Sequence, residues 1–211
     1  MEKSESSSVV ATKKAQPLKI PYALAPSGKI VDPEDARKED GPFLCPACRG
    51  RVLLRRGPVR RAHFAHPGQT RCSPETALHA AAKRRVAQAV AAWLDGTGPR
   101  PRIERECPIC FAPYEQAVPD SVRGVRVEQA LPSGYVADVA LLGGDPRHVR
   151  AAVEIRACHA VETTKKRNIG VPYLELDAEE VLREPTLWRP LSHNLDRRPC
   201  RACRTALKRF R

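Results

Sequence analysis

Aromatic residues make up only 5% of the chain, with two Trp, four Tyr and four Phe in 211 residues. A platform of stacked rings for unpaired bases is therefore poorly supported. Long hydrophobic runs are also missing: the longest, Ala89 to Leu94, falls far short of a membrane-spanning helix. The opening MEKSESSSVVATKKAQ has no apolar core region, so it is not a secretory signal, and residues 1–18 are expected to form a disordered tail. Acidic residues are in deficit. Against 37 Lys and Arg stand 24 Asp and Glu, giving a net charge of +13 and a pI near 9.8. That balance points to a polyanionic partner, for which nucleic acid held at its backbone by Arg is the first expectation, and no membrane. The plain alternative is a basic, soluble surface. With neither export signal nor membrane segment, the expected compartment is the cytoplasm, where thiols stay reduced and bind metals rather than form disulfides.

Cysteine is abundant, with eight residues, and six of them fall into three C-x-x-C pairs: Cys45/Cys48, Cys107/Cys110 and Cys200/Cys203. This spacing turns two thiolates toward one tetrahedral Zn²⁺. The flanks C-P-A-C-R-G and C-P-I-C-F favour knuckles over the redox arrangement, in which C-x-x-C opens a helix. After the first pair, an alternating basic segment turns at Gly57-Pro58, forming a predicted hairpin, and is followed by His63, His66 and Cys72. Two of these three complete the first site. Cys45, Cys48, His66 and Cys72 form the preferred set, with His63 as the substitute, because residues 63 and 66 point to opposite faces of a continuing strand. The other two pairs then form a second, four-cysteine site, which ties the C-terminus back to an insertion near residue 107. Cys158 is left as a small buried residue. The hairpin arginines Arg51, Arg55, Arg56, Arg60 and Arg61 are the candidate nucleic-acid contacts.

The pattern over 73–94 predicts a helix, capped by Ser73, with Pro74 at its first position and an apolar stripe of Leu78, Ala82, Val86, Val90 and Trp93. Glu75, His79 and Lys83 recur beside that stripe, either as a solvated ladder or as part of a site. From residue 125 the period changes to that of strands. Val125–Leu131, Tyr135–Leu142 and Val149–Ala157 form a predicted antiparallel meander, with Asp138 directly opposite Glu154 and with Arg156 on the same face as Glu154. Two adjacent carboxylates suit Mg²⁺ or Mn²⁺, with Arg156 stabilising transition-state charge; the competing reading is a carboxylate pair neutralised by the arginine. A helix at 161–168 and a strand at 171–177 follow, as a parallel crossover. The fold class is thus α/β: helix, three-strand antiparallel meander, helix, strand, with zinc-binding knuckle modules.

That order, with Asp138 and Glu154-Ile-Arg156, resembles the restriction-endonuclease-like PD-(D/E)xK core. The N-terminal half more specifically resembles the CoiA-like competence family. The matching residues are Tyr22-Ala-Leu, Ile30-Val-Asp-Pro-Glu-Asp-Ala, Cys45-Pro-Ala-Cys48, Arg56-Gly, His63-Phe-Ala-His66, Cys72, and Glu75-x-x-x-His79 with Lys83. The likeness spans roughly residues 20–177. It implies a nuclease that hydrolyses phosphodiester bonds in DNA, with Asp138 and Glu154 as ligands of Mg²⁺ or Mn²⁺ and Glu75 as an additional acid. The chain departs from it at Arg156, where the motif carries Lys, or Gln in CoiA-like proteins. Arg does not give up its proton, so a migrated lysine, Lys165 or Lys166, is the expected substitute.

The resulting organisation is a tail (1–18), a zinc-binding hairpin module (19–72), a core (73–190) with a knuckle insertion at 100–119, and a C-terminal knuckle with a basic tail (191–211). A non-catalytic, zinc-containing DNA- or RNA-binding protein is the competing function. A zinc deaminase is excluded because Glu162 stands one residue too late after His159.

Overall fold

The structure is a computed structural model and describes residues 19–59, 61–68, 72–157 and 163–209. The predicted tail, Arg60 and Cys158 lie outside the described residues.

Six short strands build the N-terminal module: β1 (Lys19–Ile20), β2 (Ala23–Leu24), β3 (Ile30–Val31), β4 (Phe43–Leu44), β5 (Arg51–Arg55) and β6 (His63–Ala65). They form one sheet in the order β1-β6-β5-β4-β2-β3, so the predicted hairpin, β5 with β6, is the centre of a larger unit. Alternation along β5 buries Val52 and Leu54 while exposing Arg51 and Arg55. The buried side packs Ile20, Phe43, Val52 and Phe64 into a small core.

Helix α1 (Pro74–Leu94) begins where Ser73 Oγ accepts the Thr76 N–H at 3.0 Å. Ala77 packs against the first core, while Ala81, Ala82, Val86 and Val90 pack into the main one. Leu78 and Trp93 sit at its edge, half-buried. A hairpin of β7 (Arg102–Glu106) and β8 (Pro113–Ala117) follows. The main sheet comes next, with β9 (Gly124–Ala130), β10 (Val136–Leu142), β11 (Val149–Arg156), α2 (Thr163–Asn168) and β12 (Tyr173–Asp177). It continues through α3 (Ala178–Arg183), β13 (Leu187–Trp188) and β14 (Ser192–His193), and the described chain ends in α4 (Arg201–Arg209). The main sheet has five strands in the order β14-β12-β11-β10-β9; β11 and β12 run parallel across the α2 crossover. β13 pairs with β7 and so ties the β7–β8 hairpin to the end of the core.

The turn is not symmetric, since a bulge between Leu141 and Leu142 shifts the pairing, but beyond it the meander has the expected register. Val139 faces Val153 and Ala140 faces Ala152; the pairing ends there, with Asp138 and Glu154 the next residues along the two strands. One detail differs. Val139, Val153 and Ile155 pack toward α1, but Ala137 joins the opposite cluster with Ala140, Ala152 and Ile169. The pleat breaks at Asp138: pairing with β9 holds at Ala137 and Val139 but skips the residue between them. Across from Asp138 stands Glu128, with φ 55°, a left-handed conformation that costs a non-glycine residue on the order of 1 kcal/mol. On its other side Asp138 uses its own carboxylate, Oδ2 accepting the Ile155 N–H at 2.9 Å.

Candidate functional site

The first two cysteine pairs fold alike. The Cys45 N–H donates to the Gly50 carbonyl at 2.8 Å and the Arg49 N–H to the Cys45 carbonyl at 3.0 Å. In the second, Cys107 donates to Ala112 at 3.0 Å and Phe111 to Cys107 at 2.9 Å. The residue after the second cysteine has positive φ in both, 63° at Arg49 and 58° at Phe111. Each is thus a tight turn that aims two sulfurs at one point.

The first knuckle meets His66 at the end of β6 and Cys72 just before α1, and the second meets Cys200 and Cys203 at the start of α4. Cys45, Cys48, His66 and Cys72 form one set and Cys107, Cys110, Cys200 and Cys203 another, with all donor atoms of a set within 4.8 Å of one another. Four such donors suit a tetrahedral ion such as zinc. Strand β6 ends at Ala65, so His66 leaves the strand and turns to Cys48, with Nε2 3.8 Å from its sulfur. His63, the substitute ligand, is corrected by this geometry. It stays on the strand opposite Arg55, its Nδ1 lies 3.0 Å from the Arg61 carbonyl, and it is outside the four-donor set.

The third pair also requires a correction. Cys200 and Cys203 form no knuckle; they open α4, with the Arg204 N–H bonded to the Cys200 carbonyl at 3.0 Å. No Gly or Pro follows Cys203, and Ala, Leu, Lys and Arg carry the helix on. The segment before it is anchored independently of any ion. Tyr114 donates its hydroxyl to the Arg198 carbonyl at 2.6 Å, and the buried Arg105 donates to the Asp196 carbonyl at 2.5 Å.

In the second set Cys107 and Cys203 are shifted in opposite directions. Burial opposes the Cys107 thiolate, but N–H groups of Cys110, Cys200 and Ile109 bring its pKa down to about 6. Its neighbours, Cys110 first, push Cys203 up to about 12. In the first set, burial pushes Cys45 up to about 11.

At the broken pleat, titratable groups from five elements converge: α1, β9, β10, β11 and α2. His79 of α1 places Nε2 3.0 Å from Asp138 Oδ2. One turn on, Lys83 reaches Glu128 Oε1 at 2.7 Å and Asp138 Oδ1 at 3.7 Å. From α2, Lys165 donates to Glu154 Oε2 at 2.5 Å and to the Val136 carbonyl at 2.9 Å. Burial disfavours the charge on Asp138, yet His79, the Ile155 N–H and Lys83 together hold its pKa below the usual range. Burial dominates at Glu154, which is only 1% exposed, and raises its pKa against the hydrogen bond from Lys165.

Of the expected acids, Glu75 takes no part in the contacts that Asp138 makes with the described residues. It lines a cleft of about 1,110 Å³ between the first module, the start of α1 and α3, together with Tyr22, Arg61, His63, Ala157 and Glu179. Arg156 lies two residues beyond Glu154, in register with Asp177. Among the hairpin arginines, Arg51 and Arg55 are exposed. Arg61 pairs with Glu34 at 3.6 Å. Arg56 is committed elsewhere, donating to the carbonyls of Pro33 at 2.7 Å and Glu34 at 2.6 Å. The side chain of Lys166 lies outside the described residues.

Sequence reasoning missed Glu128 and Glu175. Glu175 is in register with Glu154 across β11 and β12, and both are 1% exposed. Its Oε2 accepts the Ser192 hydroxyl at 2.9 Å. In the sequence Tyr-Leu-Glu-Leu-Asp, Glu175 reads as a solvent-facing residue; only the parallel register with β11 reveals it.

Residues 31–75 match the family model of the N-terminal domain of competence protein CoiA. The match contains the whole first metal set, from Cys45 to Cys72, and supports a CoiA-like relationship for this module. No curated protein and no solved structure matches the chain.

Proposed function

We propose that the chain is a divalent-metal-dependent nuclease acting on DNA, with a PD-(D/E)xK-type core, in a setting related to competence. The setting is suggested by the CoiA-like match. The observation that carries the chemistry is a pair of carboxylates, Asp138 and Glu154, at the end of the β10–β11 pairing, where Asp138 accepts the Ile155 N–H and Lys165 of the crossover helix donates to Glu154. Lys165 supplies, from α2, the lysine that the final motif position lacks, where Arg156 stands instead. The carboxylates fit a hard cation: Glu154 Oε1 is buried and has no hydrogen-bond partner among the described residues. Asp138 and Glu154 would hold Mg²⁺ or Mn²⁺, which lowers the pKa of a bound water and neutralises phosphate charge. Lys165 fixes the rotamer of Glu154, and His79 with Lys83 keeps Asp138 ionised. The cleft beside Glu75 offers an approach to the same end of the sheet, where Ala157 follows β11.

A second reading has its own support. Lys83 and Lys165 already sit against the two carboxylates and His79 hydrogen-bonds Asp138, which suits a degenerate core that binds nucleic acid without cutting it. One assay separates the two: cleavage of plasmid and of single strands with Mg²⁺ and then Mn²⁺. Under the nuclease reading, Asp138→Asn and Glu154→Gln each abolish cutting while folding and DNA affinity persist, because an amide oxygen is a weaker ligand for a hard cation. Arg156→Lys keeps or raises activity. Cleavage that survives in both carboxylate variants overturns the assignment.

A further inference from the structure

The nuclease reading leaves α4 without a task, and its surface is unlike the rest of the molecule. Residues 197–209 contain six cations, Arg197, Arg198, Arg201, Arg204, Lys208 and Arg209, and no acid, against a net charge of +13 for the whole chain. No residue of α4 is buried. Elsewhere many basic side chains are neutralised by a neighbour: Arg100 by Asp120, Arg102 by Glu115, Arg189 by Glu104, Glu180 and Glu184. Among the described residues, Arg201, Arg204, Lys208 and Arg209 form no ion pair; in this segment only Arg198 has one, at 3.9 Å from Asp196.

The cations are also arranged. Arg201, Arg204 and Lys208 are spaced i, i+3 and i+7, which places them on one stripe of the helix, about 10 Å from end to end. Cys203 falls on the opposite side, where it joins the four-thiol set. Metal binding at Cys203 therefore holds the stripe facing outward. The carbonyl contacts of Tyr114 and Arg105 fix the segment that leads into the helix.

We propose that α4 is a phosphate-binding element, docking its Arg201–Arg204–Lys208 stripe onto the backbone of duplex DNA. The DNA identity rests on the reading given above; the contact does not depend on cleavage. The stripe's length suits successive phosphates, and its guanidinium groups fork onto phosphate oxygens. A duplex is favoured over unpaired strands because the stripe carries no aromatic ring for stacking. It is favoured over a lipid surface because the side opposite the cations holds Cys203, a member of the four-thiol set, and offers Leu207 as its one large apolar side chain. An interfacial helix needs a broad apolar face there, with several large side chains to bury.

The test uses the zinc-loaded full chain and a short fluorescent DNA duplex without Mg²⁺ or Mn²⁺, titrated over a range of salt. In the triple variant Arg201→Gln, Arg204→Gln, Lys208→Gln, affinity at physiological salt should fall at least about tenfold. The slope of log affinity against log salt should fall by about 2.7, or about 0.9 for each phosphate that the stripe no longer neutralises. Arg201→Lys with Arg204→Lys should retain most of the affinity, and an unchanged zinc content in every variant would show that the knuckle stays folded. Equal affinity and slope in wild type and triple variant overturn the proposal. So does a loss confined to single strands, or tighter α4-dependent binding to phosphatidylglycerol vesicles than to duplex. A chain that binds through α4 but never cuts refutes the nuclease reading alone, so the two failures are distinguishable.

Discussion

Glu154 and Lys165 form the contact on which the carboxylate site depends most. Glu154 is 1% exposed, and its only hydrogen-bonded cation among the described residues is Lys165. A buried carboxylate deprived of its partner is costly, because desolvation is no longer offset. Lys165→Met is therefore expected to lower stability by about 2 kcal/mol, read from the urea midpoint at constant slope. Adding Glu154→Gln should recover part of that loss, because the amide carries no charge to compensate; strictly additive effects would show that the two side chains are uncoupled. Asp138 is placed differently. His79, Lys83 and the Ile155 N–H all meet it, so losing one of them leaves the others. His79→Gln should accordingly cost less stability than Lys165→Met, by the same urea measurement.

At the level of elements, α1 does two jobs: its apolar stripe joins both cores while its polar stripe supplies His79 and Lys83. Its start depends on a single side chain. Ser73→Ala removes the acceptor for the Thr76 N–H and should cost about 1 kcal/mol, measurable by thermal unfolding. Val86→Ala, at a fully buried position, should cost about 2 kcal/mol through reduced burial and the cavity left behind. The elements are the most legible part of the sequence. The cap and the Gly-Gly-Asp-Pro turn specify the helix and the β10–β11 pairing, because each is a local signal; the break in the pleat at Asp138 is not written in the alternation. The first metal set is also readable, since C-x-x-C and the end of a short strand are local. Glu128 and Glu175 stay hidden, because what places them is a left-handed kink and a parallel register, neither written in spacing. The Cys200–Cys203 pair is easily misread because a C-x-x-C offers the same ligand spacing in a turn and in a helix.

For the whole molecule, no described helix is long and apolar enough to cross a membrane. Two sets of four donors could each hold an ion and so cross-link distant parts of the chain. Elemental analysis is expected to give two Zn²⁺ per chain, and a strong chelator should lower the melting temperature sharply, because metal binding of this kind is folding free energy. Cys110→Ser with Cys203→Ser should leave one Zn²⁺ and make α4 sensitive to protease, while the first module stays protected. Loss of both ions in that variant would mean that the sites fold as one unit. The two sites also differ in time. All ligands of the first lie between residues 45 and 72, whereas Cys110 and Cys200 are 90 residues apart yet have sulfurs at 3.9 Å. A ribosome adding about 5–20 residues per second needs roughly 5–20 s to pass from one to the other. Throughout that interval the β7–β8 hairpin is a two-thiol clasp awaiting its other half. The core strands emerge meanwhile, and the last fastening of the chain is made only after everything between has been synthesised.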